Sequence, residues 1–136
     1  KAFLSSTAAY LAQAVYAQGR YEEASRYTEI SEALASRDDL LTQVIWRSAR
    51  AGFLARQGHL EQAEALARKA VNVAESTDFV TTRADALTEL AAILKQGGRV
   101  EEAKSAAADG LALYEQKGNS VAAGKIRTDL AVLFQV

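Results

Sequence analysis

Few residues in this chain are equipped to do chemistry. There is one histidine, His59, and no cysteine. A zinc site draws several ligands from histidine, cysteine and carboxylate side chains, and a single imidazole with no thiol beside it is a poor start. His59 lies in a Gly-His-Leu-Glu run whose counterparts elsewhere carry Arg20 and Arg99, so it reads as a solvated turn residue. Serine hydrolase chemistry would place that histidine beside a nucleophile and an acid, and nothing in the spacing does so. No Gly-Lys-Ser/Thr run provides a phosphate-binding loop. The acidic residues Glu22-Glu23, Glu61 and Glu101-Glu102 come back with a sequence period. Carboxylates that recur in this way suit helix starts, where they favour the positive end of the macrodipole, better than an acid/base pair. The expectation is a chain without catalysis, metal or cofactor.

The period itself is the stronger signal. Gly19-Arg20-Tyr21-Glu22-Glu23-Ala24 returns as Gly58-His59-Leu60-Glu61-Gln62-Ala63 and as Gly98-Arg99-Val100-Glu101-Glu102-Ala103. Ala24 to Ala63 is 39 positions and Ala63 to Ala103 is 40. Recurrence at a nearly fixed spacing marks a repeat array. Each copy has the form of a turn between two helices. The glycine follows an apolar run, where a helix end favours a left-handed residue without a Cβ. The closing alanine permits close helix approach.

Seven helices follow from the apolar spacing: about 4–18, 22–35, 40–57, 61–75, 79–96, 101–116 and 121–134. Asp38 or Asp39 is the expected N-cap of the third. Gly110 falls inside the sixth at a cost of roughly 1 kcal/mol against alanine, which points to close packing there. Proline is absent, in keeping with a helical chain. The 136 residues make one domain, divided into repeats at about 4–36, 40–76 and 79–117 and a half repeat at 121–134. With no methionine to initiate it, the chain is expected to be a piece of a longer protein. Each helix pair is too small to bury its own apolar faces, so the pairs must stack. The fold class expected is all-α, a right-handed α-α superhelix of seven antiparallel helices in three and a half repeats.

Composition narrows the function. Lysine and arginine number 16 against 17 aspartate and glutamate, which argues against a dedicated nucleic-acid surface. No apolar run approaches the ~20 residues that span a bilayer, and the expected setting is cytoplasmic, with no membrane partner.

The repeat resembles the tetratricopeptide repeat. The glycine position is Gly19, Gly58 and Gly98; the following apolar position is Tyr21, Leu60 and Val100. The small residue of the second helix is Ala24, Ala63 and Ala103, and that of the first is Ala12, Ala51, Ala91 and Ala131. The period here exceeds the 34 residues of that family, and its closing proline is missing. The long period and the Leu113–Asn119 link are similar to C-terminal arrays of bacterial multidomain signalling proteins, those with a class III cyclase or STAND ATPase and the MalT-like regulators. Any cyclase or ATPase chemistry would lie outside this chain.

The resemblance implies a concave groove lined by the first helix of each repeat. Its candidate lining is Gln13, Tyr16, Ile45, Ser48, Gly52, Thr88, Lys95 and Thr128, with Tyr16, Ile45 and Lys95 as anchors for a peptide or protein partner. The set that clamps a C-terminal carboxylate in chaperone-binding members is missing, so no such binding is expected. Arg47, Arg50 and Arg127 stand near positions where the family has apolar residues. A buried arginine must be paired or costs several kcal/mol. They are therefore snorkelling or ion-paired to an acid of a neighbouring helix, or they contact a carboxylate or phosphate on a partner. Trp46 beside them reads as core. The competing role is homodimerisation through apolar ends, with Phe3 and Leu4 at one and Ile126, Leu130, Leu133 and Phe134 at the other.

Overall fold

A computed structural model describes residues 2–133. They form seven helices, with no strand among the described residues: α1 (Ala2–Ala17), α2 (Tyr21–Leu34), α3 (Leu40–Arg56), α4 (Leu60–Glu75), α5 (Val80–Gln96), α6 (Val100–Lys117) and α7 (Ser120–Leu133). None of them is long and apolar enough to cross a membrane.

The helices stop where the repeated glycines stand. Gly19, Gly58 and Gly98 all have left-handed backbones, with φ of 80, 87 and 83°. Around each, the amide of the next residue returns to a carbonyl in the last helical turn: Arg20 to Val15, His59 to Leu54, Arg99 to Leu94, each at 2.9 Å. The glycine amide takes a second carbonyl, that of Tyr16, Ala55 or Lys95. This pair of bonds satisfies carbonyls that a helix end otherwise leaves unpaired. Gly118 repeats the arrangement between α6 and α7, with φ of 80° and Asn119 N–H donating to the Tyr114 carbonyl at 2.9 Å.

Side chains set the start of α3 and of α7. Asp39 accepts from the Thr42 amide and hydroxyl, and also from the Ser6 hydroxyl of α1, so one carboxylate caps α3 and ties it to α1. Asn119 accepts from the Ala122 amide. The other expected cap, Asp38, is exposed and does not serve.

Packing runs along the odd-numbered helices. α1 packs on α2 and α3, α3 on α4 and α5, and α5 on α6; α2 also meets α3, and α4 meets α5. The backbones of α2, α4 and α6 do not approach one another. α4 and α6 are joined by side chains instead: Arg68 bridges Glu64 and Glu102, and Arg99 reaches Glu64. α7 packs on α6 with its backbone clear of α5.

Most of the buried apolar residues are alanines. Ala24, Ala63 and Ala103 are fully buried, as are Ala12 and Ala51. Such small side chains let helix axes come close, and the main core of α3 to α6 adds Val44, Leu90, Ile93 and Leu94. The close approach also explains Gly110: a Cβ there would sit 3.0 Å from Thr88 Cγ2 and 3.4 Å from the Ala84 carbonyl. Ala131 departs from the pattern. It is exposed, because no helix among the described residues follows α7 to cover it.

The first helix pair is built differently. Ser5, Thr28 and Ser31 are fully buried there beside Ala8, Ala12 and Ala24. Ser31 Oγ has no hydrogen-bond partner. Its interface therefore gains less from apolar burial than that of α3 to α6.

Candidate functional site

Several clefts open on the helices just described, one of them between α4, α5 and α6. The one between α1, α3 and α5 is lined by Tyr10, Gln13, Ile45, Ser48, Thr82 and Asp85, among others, and holds about 140 Å³. A second, of about 360 Å³, opens between α5, α6 and α7, with Thr88, Ala92, Lys95, Ile126 and Asp129 at its walls. A third, formed by α5, α6 and α7, shares Thr88, Ala92 and Ile126 and adds Glu89, Tyr114 and Lys125. The separation of α7 from α5 leaves room for the last two. A fourth cleft lies elsewhere, between α2, α3 and α4.

The odd-helix face is tied together over Gly52. A Cβ on that glycine would lie 2.3 Å from the Tyr16 hydroxyl and 2.5 Å from Glu89 Oε1. Side chains from α1 and α5 thus meet in the space that the missing methyl leaves on α3. The Tyr16 hydroxyl and the Glu89 carboxylate are thereby neighbours. Arg56, one turn beyond Gly52, adds its charge to Glu89 and lies 5.8 Å from the Tyr16 ring centre and 4.6 Å from that of Tyr21. The two tyrosine rings meet edge-on at 5.5 Å. Burial pushes the Glu89 carboxyl up, while Arg56 and the Tyr16 hydroxyl pull it the other way. Burial, then the charge of Glu89, raises Tyr16.

The expected groove residues divide. Gln13, Ser48, Thr88 and Lys95 line clefts. Tyr16 and Gly52 belong to the bridge. Thr128 is exposed and donates to the Gly124 carbonyl. Ile45 borders a cleft, yet only 7% of it is exposed, and it packs with Ala9 and Trp46. That burial leaves it little surface to act as an anchor. Ser48 Oγ is buried with no hydrogen-bond partner in the protein, although it lines the cleft.

Of the three arginines, Arg50 pairs with Glu32 at 2.7 Å and Arg127 pairs with Glu115. Arg127 is half exposed, so its pairing is that of a surface residue. Arg47 has no ion pair among the described residues and donates to the Gln43 carbonyl and side chain. Trp46 is core, 3% exposed. At the chain ends, Ile126 and Leu130 pack partly against the main core. Phe134 lies outside the described residues, as does the side chain of Leu133. At the other end Phe3 and Leu4 are exposed, and α7 adds Val121, 85% exposed.

Sequence reasoning missed Glu89 and Arg56. A signal was present: Tyr16 and Gly52 were already placed on one face, and Glu89 is adjacent to the groove position Thr88. His59 is exposed at the N-cap of α4 without a capping bond. Among the described residues no group of histidine and carboxylate side chains is arranged to hold a metal ion. Comparison with protein-family models, with curated proteins and with solved structures returned no match.

Proposed function

We propose that this chain is a non-catalytic protein-interaction scaffold of tetratricopeptide type, a right-handed solenoid of three and a half repeats. It takes a peptide, or a segment of another domain, along the face of α1, α3, α5 and α7. By its resemblance it serves as a regulatory module of a cytoplasmic bacterial signalling protein. One observation carries the reading: α1, α3 and α5 stack directly on one another, α7 stands off α5, and a run of clefts opens along that face. Concave sites with apolar walls and a few polar groups are where ligands bind. Ser48 Oγ supplies one such group, a buried hydroxyl that a peptide amide or carbonyl can satisfy. The near balance of charge gives nucleic acid no surface to prefer.

The test uses a peptide selected from a random display library against the whole chain, then titrated by calorimetry. Ala92 is exposed and lines two of the clefts. In A92R the affinity should fall at least about tenfold, or 1.4 kcal/mol. Undiminished binding in A92R and in Q13A would remove the face from the account.

The exposed Phe3, Leu4 and Val121 favour a second reading, a homodimer made through the end helices. Light scattering across a concentration range decides it. A dimer dispersed by V121E supports assembly, and a monomer at every concentration rejects it.

A further inference from the structure

The fourth cleft has a different chemistry. It holds about 440 Å³ and shares no lining residue with the odd-helix clefts. Three cations from three elements face it: Arg37 of the α2–α3 link, Arg47 of α3 and Lys69 of α4. None of them has an ion pair among the described residues, whereas the single acid on the wall, Glu32, is already paired with Arg50.

Arg47 is held in place. Its guanidinium lies 4.5 Å from the centre of the Trp46 ring, and that of Arg50 lies 4.6 Å from it. Gln43 fixes the arrangement: its side-chain oxygen accepts from Arg47 and, at 3.1 Å, from Trp46 Nε1, and its amide donates to the Ser36 carbonyl at 2.9 Å. Burial lowers the Arg47 pKa, yet a guanidinium stays protonated. It is therefore a partly desolvated charge with no ion pair of its own, offset only by the field of Glu32, which is itself paired with Arg50. Arg50 Nη2 beside it is buried without a hydrogen-bond partner.

We propose that this cleft binds a phosphate monoester. Three cations against one acid leave an excess close to the charge of a phosphate monoester, about −1.5 to −2 at neutral pH. Two guanidiniums and an ammonium can surround its three oxygens. Leu40, Val73 and Ala35 line the rest and leave room for an organic body on the ester. The ester is carried on a small molecule or on a modified peptide side chain, the phosphate being common to both.

Phenyl phosphate is the probe, titrated against the whole chain at constant ionic strength. Trp46 is the only tryptophan, so its fluorescence reports on Arg47 directly; calorimetry gives the affinity. Saturable binding is expected, weaker by at least about tenfold in R47Q and in K69Q, with unchanged melting of K69Q showing an intact fold. Benzoate, with the same ring and a single charge, should bind more weakly. A phosphotyrosine heptapeptide that binds more tightly than phenyl phosphate identifies a peptide source, and equal binding a small molecule. A response no greater than that of chloride, or equal affinity in wild type, R47Q and K69Q, overturns the proposal.

Discussion

Gly52 is the position where one methyl group should do most harm. Alanine in a helix interior is ordinarily worth about 1 kcal/mol over glycine. Here the added Cβ meets the Tyr16 hydroxyl and the Glu89 carboxylate, and both must leave. Gly52→Ala is expected to lose about 1–3 kcal/mol by overpacking, read from the denaturant midpoint. Gly124→Ala is the control, because nothing lies within 4 Å of its Cβ position and its backbone is helical. It should hold or raise the midpoint. The same bridge makes a prediction about pH. Glu89 has a raised pKa in the folded chain, so folding favours its protonated form. Its contribution is full below the unfolded carboxylate pKa and is lost as pH rises through the folded one. Glu23 and Glu102, both lowered by arginine partners, act in the opposite sense. The clean quantity is therefore the melting difference between wild type and Glu89→Gln. Wild type should lose ground to the variant as pH rises from about 4 to 7; a difference independent of pH contradicts the burial of Glu89.

At the scale of elements, the helix ends were legible because their chemistry is local. A left-handed backbone costs a residue with a Cβ about 1–2 kcal/mol, and so Gly19, Gly58 and Gly98 announce themselves in sequence. Gly58→Ala meets no neighbour within 4 Å, so that backbone cost should appear alone in a melt. The buried alanines were readable for a similar reason, standing at a fixed offset from each glycine. Gly118 and the buried Ala123 keep that offset, but the acidic residues that mark the other copies are missing there. The Tyr16–Glu89 bridge was hidden because it depends on how three helices line up, which no single helix encodes. Ile45 deceived for the same reason: its spacing puts it on the groove side, while the approach of α1 buries it. Elements also differ in stability. The α1–α2 interface buries serine and threonine where α3 to α6 bury valine, leucine and isoleucine. Amides in α2 should exchange through openings at least about tenfold more populated than those of α5 and α6. Uniform protection would mean that the polar interface is as strong as the apolar one.

On the scale of the whole molecule, the two sides differ in chemistry. The odd-numbered helices carry a run of clefts, with α1, α3 and α5 braced over Gly52. The even-numbered side carries charge, with Arg68, Arg99, Glu64 and Glu102 between α4 and α6, and the Arg47 cleft between α2, α3 and α4. Under the proposals made above, a partner segment takes one face and an anion the other. The measurement that bears most directly on the central claim is hydrogen exchange of the chain with and without the display-selected peptide. The account predicts that the slowing falls on α1, α3, α5 and α7, strongest around Ser48 and Thr88. Slowing confined to α2, α4 and α6 would contradict it.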